Sequence, residues 1–174
     1  MPAYDVAARH TIEISASLER VYGALQQVDL ARSALTRWLL ALRGLWSPFR
    51  KTALTLADFR ESGFTLVGED PPRELLLGLV GKFWSPTGCV QRLDAAGFRS
   101  FSQPGFAKAA WSFSLEPLGA SRTRLATETR IQCMDARSRR RFRLYWFFIG
   151  PFSGCLRREA LRLVKQEAEQ KKAR

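Results

Sequence analysis

A chain of 174 residues is long enough for one domain with a substantial core and short for two. Its 46% hydrophobic and 25% charged residues exclude the disordered class. With 28 Lys plus Arg against 16 Asp plus Glu, the net charge of +12 favours anionic partners without choosing among nucleic acid, acidic phospholipid and anionic metabolites.

In chain order, VAARHTIEI alternates, with Val6, Ala8, His10, Ile12 and Ile14 on one side, and predicts a half-buried strand. In SASLERVYGALQQVD, Ser17 is placed to cap a helix, Glu19 favours its positive end, and Leu18, Val21, Leu25 and Val28 share a face. A second helix is predicted from about Ala31 to Leu45, stopped by SPF at residues 47–49. The pattern then turns to strands. FTLVGE and RELLLGLVGKFW flank the turn signal DPP, and CVQRL, GFRSF, FAKAAWSFSLEPL and TRLATETRIQC continue the series, the last two joined through PLGAS as a hairpin.

Within that hairpin, Ala109, Trp111, Phe113 and Leu115 pair with Leu125, Thr127, Thr129 and Ile131 on an apolar, aromatic face, while Lys108, Arg124, Glu128 and Arg130 mark a charged one. The last segment, from about Ser138 to Lys172, reads as a helix capped by Ser138. Phe142, Tyr145, Ile149, Leu156, Ala160 and Leu163 fall on one stripe, and Pro151 between Gly150 and Gly154 predicts a kink or break.

The order is strand, two helices, about six antiparallel strands, then one long helix, which is an α+β arrangement. It resembles the helix-grip fold of the START-like (SRPBCC) superfamily, which includes Bet v 1-like proteins, polyketide cyclases and lipid-transfer domains. The stretches that carry the resemblance are IEISASLERVYGALQQVD, ending in Asp29, then GKFW, QPGFAKAAWSF and the kinked last helix with PFSG. It covers residues 1–174 as a single ligand-binding domain. It implies a curved antiparallel sheet of six to seven strands wrapped around the terminal helix, enclosing an apolar cavity for a lipid, isoprenoid, polyketide or other hydrophobic ligand. No universal catalytic residues accompany the fold. The long second helix, ending in RGLWSPFRK, departs from the family pattern, and its Trp46 and Phe49 line an entrance or cover the sheet edge.

The rings suited to a hydrophobic or aromatic small molecule are Phe83, Trp84, Phe101, Trp111, Phe113 and Trp146, with Ile149 beside them. His10, the sole histidine, lies on the apolar side of its strand, and Glu128 is the carboxylate that strand curvature would have to turn inward. These two are the acid–base candidates if the chain is a cyclase or dehydratase rather than a carrier. Arg137, Arg139, Arg140, Arg141 and Arg143 crowd a helix start, where the dipole disfavours positive charge, and are the candidate contacts for an anionic partner: a phosphate, a phospholipid headgroup or, if the chain is instead a basic peripheral protein, an acidic membrane or RNA. The pattern of a single-strand nucleic-acid platform is missing, and no metal or cofactor is expected.

The run from Leu144 to Leu156 is short of the roughly 20 residues that span a bilayer. It therefore reads as a cover over the sheet, with Leu144, Phe147 and Phe148 left outward for the second helix, another subunit of a homodimer or a membrane interface. Cys89, Cys133 and Cys155 are too widely spaced for a disulfide framework or a metal knuckle, and MPAYDVAARHTIEI lacks a signal peptide's apolar stretch. The expected location is therefore cytoplasmic, either free or peripheral to the inner face of the membrane.

Overall fold

The computed structural model describes residues 3–33 and 55–170. Its elements are β1 (Val6–Ile14), α1 (Leu18–Gln27), a 3-10 turn (Leu30–Arg32), α2 (Leu56–Glu61), β2 (Thr65–Asp70), β3 (Glu74–Gly81), α3 (Ala95–Ser100), β4 (Ala107–Gly119), β5 (Arg122–Cys133) and α4 (Ala136–Gln170). The strands form one sheet in the order β1-β5-β4-β3-β2, every neighbouring pair antiparallel, with α4 packed across one face. This is the α+β helix-grip arrangement.

Five strands are present among the described residues, fewer than the six to seven expected. CVQRL contributes only an isolated bridge, Val80 to Gln91. GFRSF is largely taken into α3, because Asp94 caps that helix by accepting from the Gly97 amide at 2.7 Å and Phe98 is buried. The predicted second helix lies mostly outside the described residues, as do Trp46 and Phe49; its described start is the 3-10 turn, capped by Asp29. The sequence reading missed α2, which the Thr55 and Asp58 capping box opens.

Register fixes the two faces. Val6, Ala8, His10, Ile12 and Ile14 lie opposite Ile131, Thr129, Thr127, Leu125 and Thr123, and these opposite Ala109, Trp111, Phe113, Leu115 and Pro117. That set, with Leu75 and Leu77 of β3, is the inner face toward α4. The outer face is not uniformly solvated. Val67, Val80 and Ala110 pack there against Phe98 and Phe106, and Gly78 is small for a reason: a Cβ there would lie 2.7 Å from the Phe98 ring. Lys108, expected in a surface charge ladder, is buried in this layer and donates to the carbonyls of Arg99 and Phe101 at 3.0 and 3.3 Å.

The cap of α4 is Asp135, not Ser138. Its carboxylate accepts from the amides of Arg137 and Ser138 at 2.9 Å and from the Ser138 hydroxyl at 2.6 Å, and these bonds hold it far below the usual carboxylate range. Two cap-type residues three apart compete, and the one preceding the first helical turn takes the role. The helix then runs unbroken through Pro151, although proline leaves one carbonyl of the preceding turn without its amide partner. Its buried residues are Ser138, Phe142, Arg157, Glu159, Ala160, Leu161, Val164 and Ala168; of the expected stripe Phe142 and Ala160 are buried, Leu163 is half-buried against the core, and Leu156 is half-buried.

Candidate functional site

The inner face carries two packed clusters, one at each end. At one end Ile14, Leu115, Leu125, Leu161 and Val164 close against α1 through Val21, Tyr22 and Leu25. Tyr22 secures that end by donating to Glu69; burial and the nearby carboxylate push its phenol up to about 12. At the other end Phe142, 1% exposed, is ringed by Phe83, Trp84, Tyr145 and Trp146 at centroid distances of 6.4, 6.5, 5.9 and 5.6 Å.

Between the clusters the inner face is polar. His10, Thr127 and Thr129 occupy neighbouring positions on β1 and β5, and Trp111 on β4 sends its indole N–H to Thr127 Oγ1 at 2.7 Å. Thr127 is thereby satisfied, since its hydroxyl donates to the Ser112 carbonyl at 3.2 Å. Arg157 enters from α4. Its Nε donates to Thr129 Oγ1 at 3.0 Å, and its guanidinium lies 5.8 Å from the centre of the Trp146 ring.

Arg157 is only 8% exposed, and its Nη1 is buried without a hydrogen-bond partner. Burial alone pulls its pKa down to about 10. Beside it, the His10 ring lies against Gly154, where a Cβ would sit 3.7 Å from Nε2, and makes no hydrogen bond among the described residues. Burial first, then the charges of Arg157 and Arg158, lower its pKa, so the neutral imidazole is favoured.

The predicted ring residues are thus divided. Phe83, Trp84 and Trp146 gather around Phe142. Trp111 and Phe113 adjoin one another at 4.8 Å, and Trp111 also meets Phe59 and Phe64 at 5.3 and 6.2 Å. Ile149 is half-buried on α4. Phe101 is not brought together with them: it packs on Phe106 on the outer face, because α3 rather than a strand carries the chain there.

Of the acid–base candidates, His10 faces inward. Glu128 faces outward and accepts from Arg130 Nε and Nη2 at 2.8 and 3.3 Å, since curvature does not invert the side on which β5 places it. Arg139 pairs with Asp5, whereas Arg137, Arg140, Arg141 and Arg143 are exposed without an ion pair among the described residues. Arg157 was missed in the sequence. The signal was its spacing: it follows Trp146 by eleven residues, about three helical turns, and so lies on the same face.

A separate groove of about 450 Å³ lies where the 3-10 turn meets the end of α4, lined by Val28, Arg32, Ser33, Glu159, Arg162 and neighbouring residues. Its buried carboxylate, Glu159, is occupied by Ser33 and Arg162 at 2.6 to 3.0 Å.

No protein-family model matches the chain, and no curated protein matches it. Among solved structures it is similar to a conserved protein from Geobacillus kaustophilus, at 13% identity over 95% of this chain and 96% of that one, with a TM-score of 0.48. It is similar also to a protein from Arthrobacter aurescens, at 14% identity over 97% and 91% with a TM-score of 0.41. A third likeness is to the Zhui aromatase/cyclase from Streptomyces sp. R1128, at 15% identity over 95% and 94% with a TM-score of 0.37. At these scores they lend this chain no ligand, activity or residue role.

Proposed function

We propose that the chain binds a hydrophobic or aromatic small molecule between the inner face of its sheet and α4, as a carrier or sensor. The observation that supports this reading is the divided interior. A domain of this size ordinarily joins its apolar side chains into one contiguous core. Here, among the described residues, a belt of His10, Thr127, Thr129 and Arg157 separates two packed clusters, bordered by half-buried rings and by the small residues Gly150 and Gly154. Such a mixture of apolar walls and a few convergent polar groups is what small-molecule sites present. Native purification followed by solvent extraction and mass spectrometry is expected to release a bound apolar compound. A crystal structure with the inner face packed solid and no such compound would overturn the reading.

A second reading concerns the outside. Leu144, Phe147 and Phe148 are 67%, 76% and 62% exposed, and with Phe152 they form an apolar line on the outer side of α4 beside Arg140, Arg141 and Arg143. No helix among the described residues is long and apolar enough to cross a membrane. We infer that this line docks on an acidic membrane surface, rings in the interface and arginines on the headgroups, where hydrophobic ligands are collected or delivered. Sedimentation with phosphatidylglycerol vesicles but not phosphatidylcholine vesicles, abolished by Phe147→Ser with Phe148→Ser, is the expected result. Equal binding to both vesicle types, or retention by the double variant, would overturn it.

A further inference from the structure

Arg157 poses a problem of charge. A desolvated cation ordinarily sits beside a carboxylate or several acceptors, because water has been taken away and something must replace it. Arg157 has one Nε bond to a neutral threonine and one ring face, and Nη1 has nothing. No Asp or Glu outside the described residues can serve as its counter-ion. Residues 34–54 contain no Asp or Glu, nor do residues 1–2 or 171–174, so every acidic side chain is among the described residues. None of them forms an ion pair with Arg157. The neighbours of the guanidinium in the belt add donors. The Thr129 hydroxyl accepts from Nε and keeps its own proton for another acceptor, and His10 has an uncommitted ring.

We propose that the ligand of this site is an acid: an apolar body carrying one anionic oxygen group that binds Arg157 Nη1, with the Thr129 hydroxyl and His10 as further hydrogen-bond partners. This rests on the reading that the inner face holds a hydrophobic molecule, and adds its headgroup. The anion enters with the ligand, so the protein without ligand keeps Nη1 unpartnered, and the apolar clusters on either side receive the body of the molecule. A guanidinium matches carboxylate and phosphate alike through paired N–H groups, so both headgroups belong to the class.

The test uses the full chain, a neutral fluorescent reporter, N-phenyl-1-naphthylamine, and its displacement by decanoate, decyl phosphate and decanol at neutral pH. The expected result is displacement by decanoate or decyl phosphate at concentrations about tenfold or more below decanol, the stronger of the two identifying the headgroup. Arg157→Met is expected to remove the preference while the reporter still binds, and Arg157→Lys to restore part of it. Arg9→Gln with Arg73→Gln, on the exterior and away from both sites, leaves the preference intact. If decanol competes as well as the acids in the unaltered protein, or if Arg157→Met keeps the preference, the acid proposal falls and hydrophobic binding stands. If the reporter does not bind at all, hydrophobic binding falls and this proposal falls with it. The comparison of acids with alcohol in the unaltered protein decides even if Arg157→Met does not fold.

Discussion

At the scale of single residues, Arg157 and His10 tie the site to stability in opposite ways from ordinary core residues. Replacing a buried, unpaired cation with an apolar side chain of similar length removes a desolvation cost. Arg157→Met in the ligand-free protein is therefore expected to gain about 1–3 kcal/mol, seen as a Tm several degrees higher by calorimetry. A fall in Tm would instead make Arg157 a structural strut. His10 has a folded pKa below its ordinary 6.5, so below that value the unfolded chain takes up a proton that the folded chain resists. Stability should decline as pH drops from 6.5 toward the folded pKa, and be unaffected by His10 above it. Tm measured across that window, with His10→Gln flattening the decline, checks the sign.

At the scale of elements, legibility followed the length of the pattern. The alternation of β1 and of the β4–β5 hairpin spans nine to thirteen residues, and its inward side emerged intact in the register. CVQRL and GFRSF span five each, too few to separate a strand from a helical turn, and the Asp94 cap decided the second. On α4 the apolar positions of the first half were readable, but a 3.6-residue period carried over 35 residues magnifies any error of phase. Hence Leu161 and Val164, the most buried leucine and valine of the second half, were passed over, while Leu163, which does pack on the core, was included. The ends of this helix are not equivalent to its middle. Phe142, fully buried among four rings, should cost about 3–5 kcal/mol when changed to Ala, whereas Phe147→Ala should stay within about 0.5 kcal/mol in chemical denaturation. Similar losses at both positions would contradict the assigned orientation of α4.

At the scale of the whole molecule, the net charge of +12 and the inner belt respond to salt differently. Charges on the exterior are screened within about 8 Å at physiological ionic strength, while buried groups are screened much less. Vesicle sedimentation should weaken steeply between low and moderate salt, and reporter binding to the interior should change little; parallel loss of both would place the reporter on the surface. The charge was plain from the sequence. Its division was not, because linear order conceals that Arg157 points inward while Arg140, Arg141 and Arg143 stay in water.

The sheet order has one further effect, felt while the chain is being made. β1 is made before the other strands of this sheet, yet its partner is β5, with Val6 opposite Ile131, and its cover is α4. Until translation has passed Cys133, β1 has no native strand to pair with, and its apolar side is exposed to chaperones or to neighbouring nascent chains. The first residue of the site to be built, His10, thus meets Gly154 and Arg157 only after the other four strands and half of α4 have been made.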